Sequence, residues 1–116
     1  MTTYYSNDAV YRQVKTATRP GGVSAPSYLL LPEGNYDLTI YAKGSDAATT
    51  LIEETSDATS AVVAGTATWT AVDSTLNSVG TTQVRYLLAH TPVALRVTAL
   101  VSGETATLVL IGKKSV

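Results

Sequence analysis

The stretch Val93–Val101, VALRVTALV, places Val93, Leu95, Val97, Ala99 and Val101 on one side of an extended chain and Ala94, Arg96, Thr98 and Leu100 on the other. A period of two describes a strand with one face in a core, and no helix can gather such a pattern onto a single face. The spacing recurs in YDLTIYAK, where Tyr36, Leu38 and Ile40 oppose Asp37, Thr39 and Tyr41. It recurs again in AVYRQVKTAT (Ala9–Thr18), where Val10, Arg12 and Val14 oppose Tyr11, Gln13 and Lys15. Turn chemistry divides these runs: RPGGVSAP, EGN, GSD, STLNSVGT, HTP and SGET all carry the Gly, Pro, Asn, Asp and Ser that tight connections use. SYLLLP, ATTLIEET, TATWTAVD, TQVRYLLA and ATLVLIG read as further strands. Ser56–Gly65 is polar and Ala-rich and reads as a flexible loop or a short irregular strand, and no 3.6-residue period of helical length appears.

Seven or eight short strands at regular spacing predict an all-β chain, an antiparallel β-sandwich resembling a jelly roll. The alternation predicts Leu38, Ile40, Leu95, Val97, Val109 and Ile111 inside. It also predicts a hairpin of Val93–Val101 with Thr105–Ile111, joined through Ser102, Gly103 and Glu104. The organisation expected is an N-terminal arm over 1–27, with an edge strand as one option, and a sandwich domain over 28–116. A length of 116 residues suits one domain that buries roughly two-thirds of its unfolded surface.

Thr and Ser number 29, Ala 15 and Val 13, with one Met and no Phe, a composition that fits pleated surfaces. A core of such small side chains is expected to be marginal alone and to gain stability from bound partners. Eight basic and nine acidic residues give a net charge of −1, which argues against general nucleic-acid binding. The absence of cysteine excludes disulfides and thiolate metal sites. MTTYYSNDAVYR has no apolar run of the secretory type, and no segment approaches the ~20 apolar residues of a membrane helix. The expectation is a soluble protein made in a cytoplasm, with no membrane partner.

No catalytic constellation is visible, so no enzyme activity, cofactor or metal is expected. Trp69, the single tryptophan, reads as a mostly buried filler touching aliphatic side chains of the closing hairpin. Its alternative readings are a sugar-stacking platform or an interface anchor. His90 precedes Thr91 and Pro92 and reads as a solvated loop residue. Glu53 and Glu54 are adjacent on a strand, face opposite ways and cannot pair as acid and base. Asp46, Asp57 and Asp73 fall in turns, where Asp closes Asx-type hydrogen bonds, and their spacing matches no EF-hand loop. Tyr4, Tyr5, Tyr11 and Arg12 crowd the first dozen residues, and Tyr and Arg are the types enriched in protein interfaces. These four form the candidate partner interface.

Four phrases in order, TLIEETSD, TWTAVDS, QVRYLLA and ALRVTALVSGETATLVLIG, resemble a small β-sandwich module of tailed-bacteriophage virion proteins. The resemblance spans Ala48–Gly112, departs from the pattern in the longer, Ala-richer Ser56–Gly65, and leaves the N-terminal third outside it. It implies a virion structural protein made in a host cytoplasm, foremost a capsid decoration (cement) protein bridging subunits. Its partners would be the major capsid protein or other virion proteins, and it would be a homo-oligomer, with a trimer among the options. A tail, neck or tail-fibre component with a carbohydrate- or receptor-binding sandwich is the alternative.

Overall fold

The structure, a computed structural model, describes residues 10–20, 26–31 and 36–114; for Val10, Tyr11 and Lys114 it describes the backbone alone. Eight strands are present among the described residues: β1 (Val10–Thr18), β2 (Ser27–Leu30), β3 (Tyr36–Gly44), β4 (Thr50–Thr55), β5 (Thr70–Ala71), β6 (Val84–Leu87), β7 (Ala94–Ala99) and β8 (Thr105–Lys114). They form two four-stranded antiparallel sheets, ordered β1-β8-β3-β6 and β2-β7-β4-β5. Among the pairings are β1 with β8, β2 with β7, β3 with β6 and β4 with β5, an outermost-to-innermost nesting. The chain is one long double strand, folded back at β4–β5 and rolled up, which is the topology of an eight-stranded jelly roll. The β3–β8 and β4–β7 ladders then complete each sheet.

The core lies between the sheets. One sheet contributes Leu38, Ile40 and Ala42 from β3, with Ala106, Leu108 and Leu110 from β8. The other contributes Leu29 from β2, Ile52 from β4, and Leu95, Val97 and Ala99 from β7. Leu76, on a single 3₁₀ turn (Ser74–Leu76), and Val79 close one side. Each buried Leu or Ile stabilises the fold by about 1.5–3 kcal/mol, so a core without Phe is built from many modest increments.

Four sequence expectations change. Val109 and Ile111 face outward; Leu108 and Leu110 hold the interior. In LVLI (Leu108–Ile111) both alternate sets are apolar, so these four residues do not choose the register, and only Thr105 and Thr107 mark the outward set. The expected hairpin does not form: β7 and β8 lie in opposite sheets, and Ser102–Glu104 arches between layers. A tight turn between two alternating runs looks the same in sequence whether it reverses within a sheet or crosses between sheets. Ser56–Gly65 contains a helix, α1 (Thr59–Ala64), anchored by buried Val62. It ends at Gly65, whose φ of 79° is left-handed and suits glycine. Six residues are too few to show a helical period. Finally, the strand read over TATWTAVD shrinks to Thr70–Ala71, and Trp69 precedes it.

Candidate docking face

The outer side of the β1-β8-β3-β6 sheet is built by the residues that alternate with the core set. Register places them in four rows across the strands. Lys113 stands opposite Asp37; Arg12, Ile111, Thr39 and Leu87 form the next row; Val14, Val109, Tyr41 and Arg85 the third; Thr16, Thr107 and Lys43 the fourth. The middle two rows are mostly apolar, and no described element covers them: Leu87 is 67% exposed and Val14 44%. Arg12 and Arg85, both exposed, occupy opposite edges of this apolar centre. Lys43, Lys113 and Asp37 are exposed at its two ends. Among the described residues none of these five charged groups takes part in an ion pair. Four positive groups against one negative give a local charge of +3 on a chain whose formal charge is −1.

The outer side of the other sheet is organised differently. Tyr28, Arg96, Glu53 and Ala71 make one row across it. The Arg96 guanidinium donates to Glu53 Oε1 through Nε at 3.1 Å and Nη2 at 2.5 Å. It also lies 4.7 Å from the centre of the Trp69 ring. Trp69 is therefore a half-buried plate under an ion-paired arginine, not the core filler expected, and it is absent from the buried core cluster. Glu54 points the opposite way from Glu53, into one end of the sandwich, where His90 Nε2 donates to its Oε1 at 2.6 Å. His90 itself is 58% exposed.

The turn aspartates fasten loops. Asp46 Oδ1 accepts from the Ala47 N–H, and Asp57 Oδ2 accepts from the Thr68 N–H. Asp73 caps the 3₁₀ turn, accepting from the Thr75 hydroxyl at 2.7 Å and its N–H at 3.0 Å. These two bonds favour the ionised form and hold the Asp73 carboxyl below its ordinary value. Among the described residues no three His, Asp or Glu side chains gather into a metal-binding group.

Of the expected interface residues, Tyr4 and Tyr5 lie outside the described residues. Tyr11 stands in β1 opposite Gly112, with its side chain outside the description. Arg12 alone is placed, and it sits on the docking face. Arg85, Leu87, Val109, Ile111 and Tyr41 join it from three other strands, a grouping that sequence reasoning missed. One signal was present: a strand apolar on both alternate sets needs cover on both faces, and a sandwich covers only one. Comparison of the sequence with protein-family models and with curated proteins finds no match.

Proposed function

We propose that the chain is a structural protein of a tailed-bacteriophage virion, a capsid decoration protein that attaches to the particle through the outer face of the β1-β8-β3-β6 sheet. The observation carrying this reading is that face: an uncovered apolar centre of Val14, Val109, Ile111, Tyr41 and Leu87 with an arginine on either side. Protein interfaces have this anatomy, an apolar centre rimmed by polar groups and enriched in Tyr and Arg. The resemblance of Ala48–Gly112 to phage virion modules supplies the setting. Fold alone does not, because jelly rolls serve capsids, lectins and enzymes alike. In this reading the protein is not an enzyme. Its partners are the major capsid protein or other virion proteins, its copies associate with trimers among the options, and Tyr4 and Tyr5 extend the contact that Arg12 begins, whereas Tyr11 belongs to the opposite alternate set of β1.

A second reading is favoured by a separate observation. Tyr28, 38% exposed, shares a face with the Trp69–Arg96–Glu53 group, and aromatic and charged side chains together suit a sugar or receptor. That would make the chain a tail or fibre component. Particles purified from a host infected by the encoding phage decide between them. Mass spectrometry should find the chain in the virion, electron microscopy should place it on the head, and gene-deleted particles should lose their DNA at lower temperature. A location on tail fibres would favour the second reading, and absence from particles would overturn both.

A further inference from the structure

The geometry points to one kind of occupant for the docking face: a protein surface with an apolar centre flanked by two carboxylates. This deepens the proposed function and rests on that reading. Arg12 lies on β1 and Arg85 on β6, the two edge strands of the sheet, one row apart. Three strand spacings and one two-residue step put their Cα atoms roughly 16 Å apart. Between them lie Ile111, Val109, Thr39 and Tyr41. Each guanidinium offers a planar fork of donors that a carboxylate matches, and neither fork is taken by another described residue. A complementary surface therefore presents two Asp or Glu side chains at about that spacing, one on each side of aliphatic or aromatic groups.

A second copy of the same face is the wrong occupant. An isologous contact sets each face against itself, which here opposes one local +3 with another. A polyanion without apolar groups is also a poor match, because it leaves Leu87 and Val14 in water. Four rows by four strands cover only about 500 Å² per partner, below the roughly 800 Å² of a standard interface. One such contact is weak and salt-sensitive, and a particle offering many of them adds avidity.

The test uses two preparations. The first is an immobilised random copolymer of glutamate and tyrosine, an acidic and aromatic probe, with heparin, duplex DNA and anionic phospholipid vesicles as comparison arms. The full chain should bind the copolymer more tightly than the three comparison polyanions at matched salt. Binding should fall at least tenfold between 50 and 300 mM NaCl, an ordinary range for charge-driven contacts. The double variant Arg12→Glu/Arg85→Glu should lose at least tenfold, Leu87→Asp several-fold, and Lys15→Glu, on the core-facing side of β1, less than twofold. Arg85→Gln, which removes charge without reversing it, should fall between, and near-ultraviolet circular dichroism should show every variant folded. Copolymer binding unchanged in the double variant overturns the inference. So does tighter binding to heparin, DNA or vesicles, and so does a dimer that Leu87→Asp dissolves.

The second preparation is gene-deleted particles to which the purified chain is added back. If wild type rebinds and the double variant rebinds equally, this inference fails while the virion reading stands. If the copolymer results hold but the chain neither occurs in particles nor rebinds them, the virion reading fails while the chemistry of the face stands.

Discussion

Arg96 is the residue on which the outer side of the second sheet is organised. Its guanidinium joins Glu53 on β4 and lies against the ring of Trp69 just before β5, so one side chain ties three consecutive parts of the sheet together. Arg96 and Glu53 are 27% and 18% exposed, so the pair is partly desolvated and its loss strands a carboxylate. Arg96→Ala should cost about 1–3 kcal/mol, combining a charge-assisted hydrogen bond with a stacked cation. Because Trp69 is the single tryptophan, its fluorescence maximum should move to longer wavelength in the same variant as the ring gains water. A test by pH belongs to Asp73. Its folded carboxyl is held below the ordinary value of 3.8, so its contribution is complete above that value and is lost as pH falls through the depressed one. Asp73→Ala should melt below wild type at pH 7, and the difference should close in strong acid; thermal melts across pH measure it. The turn role of Asp73 was legible because Asp bonds nearby N–H groups by its own chemistry. The Arg96–Trp69 stack was not, because 27 residues separate its partners and only the fold brings them together.

At the scale of elements, strands with one polar face declared themselves. β3 and β7 read correctly, with Leu38, Ile40, Leu95 and Val97 inside, because Asp37, Thr39, Arg96 and Thr98 mark the outward set. β8 misled for the opposite reason. Val109 and Ile111 outweigh their neighbours in β propensity, yet Leu108 and Leu110 occupy the interior. The residues that obscured the register are those of the docking face, so the misreading and the candidate site have one cause. The corner between β3 and β4 carries a tight steric constraint. Thr49 and Thr50 are fully buried there, their hydroxyls donating to the Asp46 and Lys43 carbonyls at 2.6 and 2.9 Å. A Cβ on Gly44 would come within 2.6 Å of Thr49 Cβ and 3.0 Å of the Val79 carbonyl oxygen. Gly44→Ala should therefore destabilise by about 1–3 kcal/mol, as overpacking does, read from the shift in a urea midpoint. AKGSDAATT itself holds Thr49, but nothing in its pattern announces that the corner folds Thr49 back onto Gly44 or that the Val79 carbonyl arrives from a distant segment.

For the whole molecule, the two-layer, jelly-roll-like architecture was legible and the partner of each strand was not, as the expected hairpin of Val93–Val101 with Thr105–Ile111 shows. Spacing counts strands, but nesting depends on which edges meet after the chain has rolled up. That nesting makes most pairings distant in sequence, with Val10 opposite Lys113 and Thr18 opposite Thr105. Refolding from urea should therefore take milliseconds to seconds, the range of β-sandwiches dominated by non-local contacts, and stopped-flow fluorescence of Trp69 measures it. The position of β8 carries a further consequence for how the protein is made. β8 lies between β1 and β3, so until it is added the first sheet is two pieces with no shared ladder. On a ribosome adding 5–20 residues per second, β1 is finished roughly 5–20 s before its only neighbour in the sheet has been synthesised. A nascent chain stalled before Thr105 should be protease-sensitive throughout this sheet, and one extended far enough for Lys114 to clear the exit tunnel should become resistant in a single step. Because the outer face exists only in the assembled sheet, a chain that has not yet added β8 cannot present it, and under the proposed function translation itself would delay attachment until β8 has joined the sheet.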